Sequence, residues 1–361
     1  MSNMDQQPDQ QQNQQQEQAL IEPELLKSSS ETARLVVDQL DAMLLGRHEL
    51  HEMVLVGILA RGHILLEGLP GVGKTIMINA LGKLLGMEFR RVQFTPDLMP
   101  GDILGAHILQ EKDGGEREMR FMPGPVFTNI LLADEINRAS PKTQSALLEA
   151  MQEGCVTLLG VTRELPRPFF VLASQNPIEL EGTYPLPEAQ VDRFLMKLSV
   201  AAADVKTMEE IITTRRHGAP PEPTKTFSLE KLEELFSAVD AIYLPRAVAR
   251  YAARLVAATH PDCPEAPSSV KNYVTYGASP RAAIAMAEAA RALSMMRGQA
   301  TVGFDIIGEV APAVLNHRIL LNYKARFDGV SGDTTVNDLL REIDPVGMRL
   351  PADVSVGAQD D

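Results

Sequence analysis

Apolar residues fall into two patterns that alternate over the first two thirds of the chain. Short continuous apolar runs predict buried strands at 64–66, 89–94, 130–133 and 169–173. Segments with apolar residues at helical spacing surround these runs and predict helices at 22–45, 53–60, 76–85 and 141–152. Because strands and helices alternate, the pattern indicates an α/β fold with a mostly parallel sheet.

The pattern changes after a linker at residues 215–223, whose sequence is Arg-Arg-His-Gly-Ala-Pro-Pro-Glu-Pro. Beyond it the apolar spacing is almost wholly helical and predicts helices at 228–239, 244–260, 280–297, 303–315 and 334–342. We therefore expect a small all-α domain to follow the α/β domain.

Four segments follow from these patterns. Residues 1–22 are rich in Gln and have too little apolar surface to offset the entropy of ordering, so we expect a disordered tail. Residues 23–210 form the predicted α/β domain and 211–345 the all-α domain. Residues 346–361 form a short acidic C-terminal tail.

Composition narrows the class of protein. The chain has 361 residues, of which 45% are hydrophobic and 23% are charged, as in soluble globular proteins. A net charge of −14 disfavours nucleic acid and anionic membranes as partners. No apolar run approaches the ~18 residues of a membrane span. The first residues lack the basic and apolar regions of a signal peptide, so we expect a cytoplasmic protein.

A glycine-rich loop, Gly68-Leu-Pro-Gly-Val-Gly-Lys-Thr75, fits the pattern G-x-x-x-x-G-K-[ST]. Such a loop wraps a polyphosphate in backbone N–H groups, and it lies here between a predicted strand and a predicted helix, as the motif requires. Lys74 would reach the β- and γ-phosphates, and the Thr75 hydroxyl would bind Mg²⁺. The predicted nucleotide contacts are Gly68, Pro70, Gly71, Val72, Gly73, Lys74, Thr75 and Ile76.

Polar residues end two further predicted strands. Asp134 and Glu135 follow the apolar run 130–133. Asp134 would hold Mg²⁺ directly or through water, and Glu135 would orient the attacking water. Asn176 ends the next strand, where it would contact the γ-phosphate or the water, unless it only forms an Asn-Pro turn.

With these elements in order, the chain resembles the AAA+ ATPases and, more closely, the MoxR family. The resemblance covers about Leu45 to Arg326. The stretches that carry it are GHILLEGLPGVGKT (62–75), RVQFTPDLMPGDILG (91–105), FMPGPVFTNILLADEINRASPKTQSALLEAMQE (121–153), SQNPIELEGTYPLPEAQVDRF (174–194) and GASPRA (277–282). The implied fold is a P-loop core of the AAA+ type with a helical lid.

The resemblance also implies roles for three polar residues. Asn176 resembles the first sensor, and Arg281 resembles the second sensor, which reaches from the lid to the γ-phosphate. Arg193 resembles the arginine finger that acts on the ATP of the neighbouring subunit. The alternative without a catalytic role is, for Arg193, a surface ion pair with Asp192. For Arg281 it is an arginine at the start of a helix that binds no ligand. Arg138 is a further candidate for a subunit interface.

The implied activity is ATP hydrolysis, with ATP and Mg²⁺ bound, in a homo-oligomeric ring that we expect to be a hexamer. Residues 103–125 and a predicted hairpin at 155–168 correspond to loops with which AAA+ proteins grip a substrate. The ring would remodel or mature a client protein together with a separate protein that carries a von Willebrand factor A domain. The alternatives are a chelatase-type motor for metal insertion, a nucleic-acid motor and a nucleotide-dependent scaffold without turnover.

Overall fold

The computed structural model describes residues 20–69, 71–111, 117–176, 183–215 and 221–346. Pro70, the predicted tail up to residue 19 and the C-terminal segment from residue 347 lie outside these ranges. Ile21, which lies in the segment 1–22 that the sequence assigns to the tail, is buried in the core. No helix within the described ranges is both long enough and apolar enough to cross a membrane.

The first domain contains seven helices and nine strands within the described ranges. The helices are α1 (Pro23–Met43), α2 (His48–Leu59), α3 (Lys74–Leu84), α4 (Pro100–Leu104), α5 (Pro141–Glu153), α6 (Glu188–Val191) and α7 (Val205–Thr214). The strands are β1 (Ile64–Glu67), β2 (Phe89–Gln93), β3 (Gly105–Glu111), β4 (Arg117–Pro123), β5 (Ile130–Asp134), β6 (Cys155–Leu158), β7 (Val161–Glu164), β8 (Phe170–Gln175) and β9 (Met196–Ser199).

Five strands form the central sheet in the order β2-β5-β8-β1-β9, and all their pairings are parallel. This confirms the predicted α/β class. The sequence pattern missed β9, because its four residues Met196–Ser199 alternate apolar and polar side chains instead of forming an apolar run. The predicted hairpin at 155–168 is present as the antiparallel pair β6-β7, and the described residues of 103–125 include a second antiparallel pair, β3-β4.

Side chains of the central strands alternate between two cores, as the two faces of a strand require. On β5, Ile130 and Leu132 join a core that continues into the second domain, whereas Leu131 and Ala133 join a separate core under α5. Helix α5 is capped at both ends. The Ser140 side chain accepts a hydrogen bond from Thr143 N at the start, and Gly154 ends the helix with positive φ.

The second domain is mainly helical, as predicted, but it also contains a small antiparallel β-pair. Its elements are α8 (Leu229–Asp240), α9 (Arg246–Ala258), α10 (Ser268–Tyr273), β10 (Val274–Tyr276), α11 (Pro280–Met296), α12 (Phe304–Leu315), β11 (Leu320–Leu321), α13 (Tyr323–Phe327) and α14 (Gly332–Glu342). Helix α7 runs across the predicted domain boundary after residue 210, so that boundary divides a helix.

His63, just before β1, is held neutral by the fold. Its Nδ1 accepts a hydrogen bond from Val171 N (3.0 Å), and its Nε2 lies 3.1 Å from the Met151 carbonyl. Desolvation lowers the pKa of His63 to about 4. A neutral Nδ1 acceptor and a protonated Nε2 donor satisfy both contacts, whereas imidazolium would set a donor against Val171 N–H.

We predict that His63 makes folding sensitive to acid. The unfolded chain binds a proton near pH 6.5, and the folded chain does so only near 4, so stability falls as pH drops through this interval. The loss is at most about 3 kcal/mol for a shift of this size, because His63 is only partly buried. His63→Gln should flatten the dependence of unfolding free energy on pH between these values, as measured by urea unfolding.

His48→Gln is the control with the opposite sign. The hydrogen bond with Asp41 raises the pKa of His48, so this residue adds stability at low pH that is lost as pH rises. Its replacement should steepen the loss in acid. Parallel pH profiles for wild type and His63→Gln would show that His63 does not titrate in the folded protein as described.

Candidate functional site

The glycine-rich loop joins β1 to α3 and places Lys74 at the start of that helix. Gly71 and Gly73 both have positive φ, at 79° and 82°, which favours glycine. Gly68 lies so close to the Val200 carbonyl that a Cβ there would approach its oxygen to 2.5 Å. The loop therefore has the backbone that its glycines predict, and the N–H groups at the start of α3 form an anion-binding end.

Lys74 is buried and turns back onto the loop. Its Nζ donates a hydrogen bond to the Gly68 carbonyl at 2.7 Å. Burial lowers the pKa of Lys74, while Asp134 and Glu135 oppose that effect by favouring the ammonium form. The ammonium group thus lies between the loop and the two acidic residues that the sequence assigns to the metal and the water.

The two carboxylate residues are linked through Ser174 on the adjacent strand β8. The Ser174 hydroxyl donates to Asp134 Oδ1 at 2.5 Å and accepts from Glu135 N at 2.9 Å. Glu135 has φ 55° and ψ 50°, a left-handed conformation that a residue with a side chain seldom adopts. This conformation turns the chain sharply after β5, and the serine contact helps to maintain it.

Neighbouring side chains already neutralise both carboxylates. Arg91 donates two hydrogen bonds to Asp134 Oδ2, from Nη2 at 2.6 Å and from Nε at 3.2 Å. Glu135 Oε2 accepts from Gln93 Nε2 at 2.8 Å and from Arg138 Nη1 at 3.0 Å. A cation at Asp134 or a water at Glu135 must therefore compete with groups that belong to the protein itself.

A cavity of about 300 Å³ brings most of the predicted site together. Buried Asn176 lines it at the end of β8, so the structure places this residue beside the loop and the carboxylates. The full lining is Gly71, Gly73, Lys74, Thr75, Ile76, Arg91, Gln93, Asp134, Glu135 and Asn176. The Thr75 hydroxyl and the Asp134 carboxylate are hard oxygen donors of the kind that Mg²⁺ prefers.

A second cavity of about 820 Å³ lies beyond the loop and contains a residue that the sequence analysis missed. Arg47, which lines it, donates hydrogen bonds to the Val72 carbonyl of the loop and, at 3.3 Å, to the Ala201 carbonyl. Asp41 also borders this cavity and contacts both His48 and His51 at 2.6 Å. Because the cavity adjoins the phosphate loop, it can receive the part of a nucleotide that lies outside the phosphates.

Arg193 and Arg281 lie away from the phosphate cavity. Both line a separate crevice of about 380 Å³, and none of the described residues that line this crevice also lines the phosphate cavity. Asp192 does not pair with Arg193, as the alternative interpretation required, but with Arg318 at 2.9 Å and Arg281 at 3.5 Å. Within the described part of the chain, the Arg193 guanidinium forms no hydrogen bond or ion pair.

Sequence analysis missed the partners of the acidic residues. Arg91 and Gln93 occupy alternate positions on β2, and Ser174 lies two residues before Asn176 on β8. Each of these residues is polar and lies near the carboxyl end of a strand that neighbours β5. That position is the feature by which the sequence could have indicated them. Arg318 gave no comparable signal, since only the packing of the second domain against the first brings it to Asp192.

Comparisons with known proteins agree with this geometry. Residues 63–196 match the ATPase family associated with various cellular activities (AAA), and residues 267–339 match the AAA lid domain. The chain resembles the crystal structure of an ATPase-like protein from Cytophaga hutchinsonii, with a TM-score of 0.80 and 38% identity over 89% of this chain and 97% of that one.

Two named relatives identify the family within this group. Chaperone MoxR1 of Mycobacterium tuberculosis is 42% identical over 318 residues, which span 88% of this chain and 83% of the relative. Protein MoxR of Methylorubrum extorquens is 31% identical over 292 residues, which span 76% of this chain and 84% of the relative. The catalytic-domain match, the lid match and these relatives together show that the chain belongs to the MoxR family of AAA+ ATPases.

Proposed function

We propose that this ATPase works as a cytoplasmic ring, most simply a hexamer, that couples ATP binding and hydrolysis to remodelling or maturation of a protein partner. The observation that carries the proposal is the placement of Arg193. Its guanidinium lies in a crevice outside the phosphate cavity of its own chain and has no partner among the described residues. A second copy that presents bound ATP to this crevice would complete both sites.

Within one subunit, the phosphate cavity would bind ATP through the loop and Lys74, which would exchange its bond to the Gly68 carbonyl for phosphate oxygens. Mg²⁺, held by Thr75 and Asp134, would neutralise charge on the phosphates. Glu135 would orient the attacking water, and Asn176 would contact that water or the γ-phosphate.

At the subunit interface, Arg193 would stabilise the charge that develops on the neighbour's phosphoryl oxygens, and Arg281 from the same crevice would assist. A planar guanidinium that is always charged suits this task. The chaperone name of a relative at 42% identity supports a protein client. We further propose a separate von Willebrand factor A domain protein as the partner that links the ring to its client. The net charge of −14 disfavours the nucleic-acid alternative.

We predict that active sites are shared between subunits. Glu135→Gln should bind ATP without hydrolysing it, and Arg193→Ala should reduce turnover by about 10³-fold or more. In mixtures, a Glu135→Gln subunit retains its arginine and can complete the site of an Arg193→Ala neighbour. Steady-state ATPase should therefore recover partly at intermediate ratios.

The matched control is a mixture of Arg193→Ala with the double variant Glu135→Gln/Arg193→Ala, which contains no intact arginine and should not recover. If wild-type rings that form with ATP show no turnover, the proposed coupling fails. If Arg193→Ala is impaired but shows no recovery at any ratio, Arg193 does not act across an interface.

We also predict that Arg91 competes with Mg²⁺ for Asp134. Arg91→Gln removes both the guanidinium from Asp134 Oδ2 and a positive charge beside the metal ligands. A charge-assisted hydrogen bond is worth about 1.5–3 kcal/mol, so the Mg²⁺ concentration for half-maximal effect should fall about 10- to 100-fold. The readout is Mg²⁺-dependent binding of a fluorescent ATP analogue, measured alongside turnover.

Arg90→Gln is the matched control, because Arg90 is the adjacent residue on β2 and pairs with Glu88 instead of Asp134. It should leave the dependence on Mg²⁺ unchanged. Equal Mg²⁺ requirements in wild type and Arg91→Gln would contradict competition at Asp134.

A further inference from the structure

Arg318 is a buried arginine of the lid that reaches into the core domain. It lies between α12 and β11, and only 3% of its side chain is exposed. All five of its N–H donors have acceptors. One acceptor is the Val314 carbonyl in α12, at 2.5 Å, and the other four lie on a short segment of the core. Arg318 is therefore fixed to both domains at once.

The four core acceptors surround Arg193. The Asp192 carboxylate accepts from Nε at 2.9 Å and the Asp192 carbonyl from Nη2 at 3.2 Å. The carbonyls of Phe194 and Leu195 accept at 2.6 Å and 3.0 Å. His317 adds a contact from Nε2 to the Phe194 carbonyl at 3.2 Å. Arg318 thus holds the carbonyl that precedes Arg193, and Arg318 and His317 together hold the carbonyl of Phe194, which follows it.

Asp192 connects this segment to a second element of the lid. Its carboxylate accepts a hydrogen bond from the hydroxyl of Ser279, the residue that caps α11, at 3.1 Å. Arg281, in the first turn of α11, is 3.5 Å from the same carboxylate. The ends of α11 and α12 therefore meet at one core carboxylate, directly beside Arg193.

The side chain of Arg193 has no partner of its own among the described residues, so its position depends on the backbone that carries it. Displacing a catalytic group by about 1 Å can cost 10²-fold in rate. Within the core, the Arg193 N–H donates to the Gln190 carbonyl at 3.2 Å. The bonds that tie the carbonyls on either side of Arg193 to the lid come from the guanidinium of Arg318, which also pairs with the carboxylate of Asp192; we call these two groups the Arg318–Asp192 latch.

We propose that the Arg318–Asp192 latch positions Arg193 for catalysis on the neighbouring subunit, and that the lid and the segment bearing Arg193 consequently move as one unit. This inference rests on the proposed role of Arg193 across the interface. Arg318 does not line the phosphate cavity of its own chain. It does line the crevice that holds Arg193, but acceptors within the chain already use all five of its N–H donors, so we assign it the role of a positioning residue.

Arg318→Lys tests the latch in full-length rings. Lysine keeps the charge but replaces the planar fork with a single ammonium, which cannot bond the carboxylate and three carbonyls together. We expect kcat to fall about 10- to 100-fold, with the Kd for ATP unchanged because the phosphate cavity is intact. In the Arg193→Ala background, Arg318→Lys should cause no further loss, since it acts through that arginine.

Subunit mixing separates positioning from a general structural defect. Arg318→Lys subunits have an intact phosphate cavity, so mixing with Glu135→Gln subunits, which supply a well-placed Arg193, should restore turnover. Mixing with Arg193→Ala subunits should not. Arg297→Lys is the matched control. This lid arginine also bonds a core residue, Glu52, but its partners Glu52 and Glu309 are not shared with Arg318. Its replacement should preserve kcat. Asp192→Asn provides a second test if Arg318→Lys does not fold.

The outcomes distinguish the latch from the function on which it rests. If Arg193→Ala has normal turnover, the role of Arg193 fails and the latch fails with it. If Arg193→Ala is impaired but Arg318→Lys and Asp192→Asn are not, only the latch is overturned. Impaired turnover in Arg318→Lys that Glu135→Gln subunits cannot restore would assign Arg318 to its own subunit's fold or site, and would also overturn the proposal.

Discussion

The parallel register of the central sheet is the constraint on which the site depends. Hydrogen bonding aligns Gln93 of β2 with Asp134 of β5, and aligns Glu67 of β1 with Gln175 of β8. Parallel strands end at the same edge, so the phosphate loop after β1 and the carboxylates at the end of β5 converge there. Each polar group then needs only a short local feature, such as the left-handed turn at Glu135, to face the cavity.

Convergence of charge at this edge has an electrostatic consequence. Asp134 and Glu135 are adjacent in sequence and lie beside a site for a polyanion, which would repel them. Arg91 and Arg138 offset that charge within the subunit, and Lys74 adds a third cation close by. The charges around the phosphate cavity are therefore paired within the subunit, and a bound nucleotide would have to replace some of these pairs. Its affinity reflects the difference between the two sets of interactions and not the new contacts alone.

Sequence patterns predicted the parts of the fold that are governed by burial. β1, β5 and β8 are buried on both faces, so each appears as an apolar run, and the motifs at their ends locate Lys74, Asp134 and Asn176. β9 was not predicted, because it lies at the edge of the sheet and retains polar positions. The pair β10-β11 was not predicted, because strands of two or three residues are too short to show the alternation of apolar and polar side chains.

The same distinction applies to the site. A motif gives the identity of a residue and its place on an element, but not the partner that another element brings to it. Arg91 and Ser174 could be found only after the strand order was known, because β2 and β8 flank β5 in space and not in sequence. Likewise, a pairing of Arg193 with Asp192 was open in the sequence and was resolved by the approach of Arg318 from the lid.

The carboxylate of Asp192 forms one buried ion pair, with Arg318, and one exposed ion pair, with Arg281. Arg318 is almost fully desolvated and all its donors are used, so releasing it would strand a buried charge, which is strongly unfavourable. Arg281 is 60% exposed and lies at 3.5 Å, where screening by water makes the pair weak. An anion that enters the crevice can therefore draw Arg281 away from Asp192 at little cost while Arg318 stays in place. Of the two lid arginines that contact Asp192, Arg318 therefore keeps its position, whereas Arg281 can move toward a bound anion.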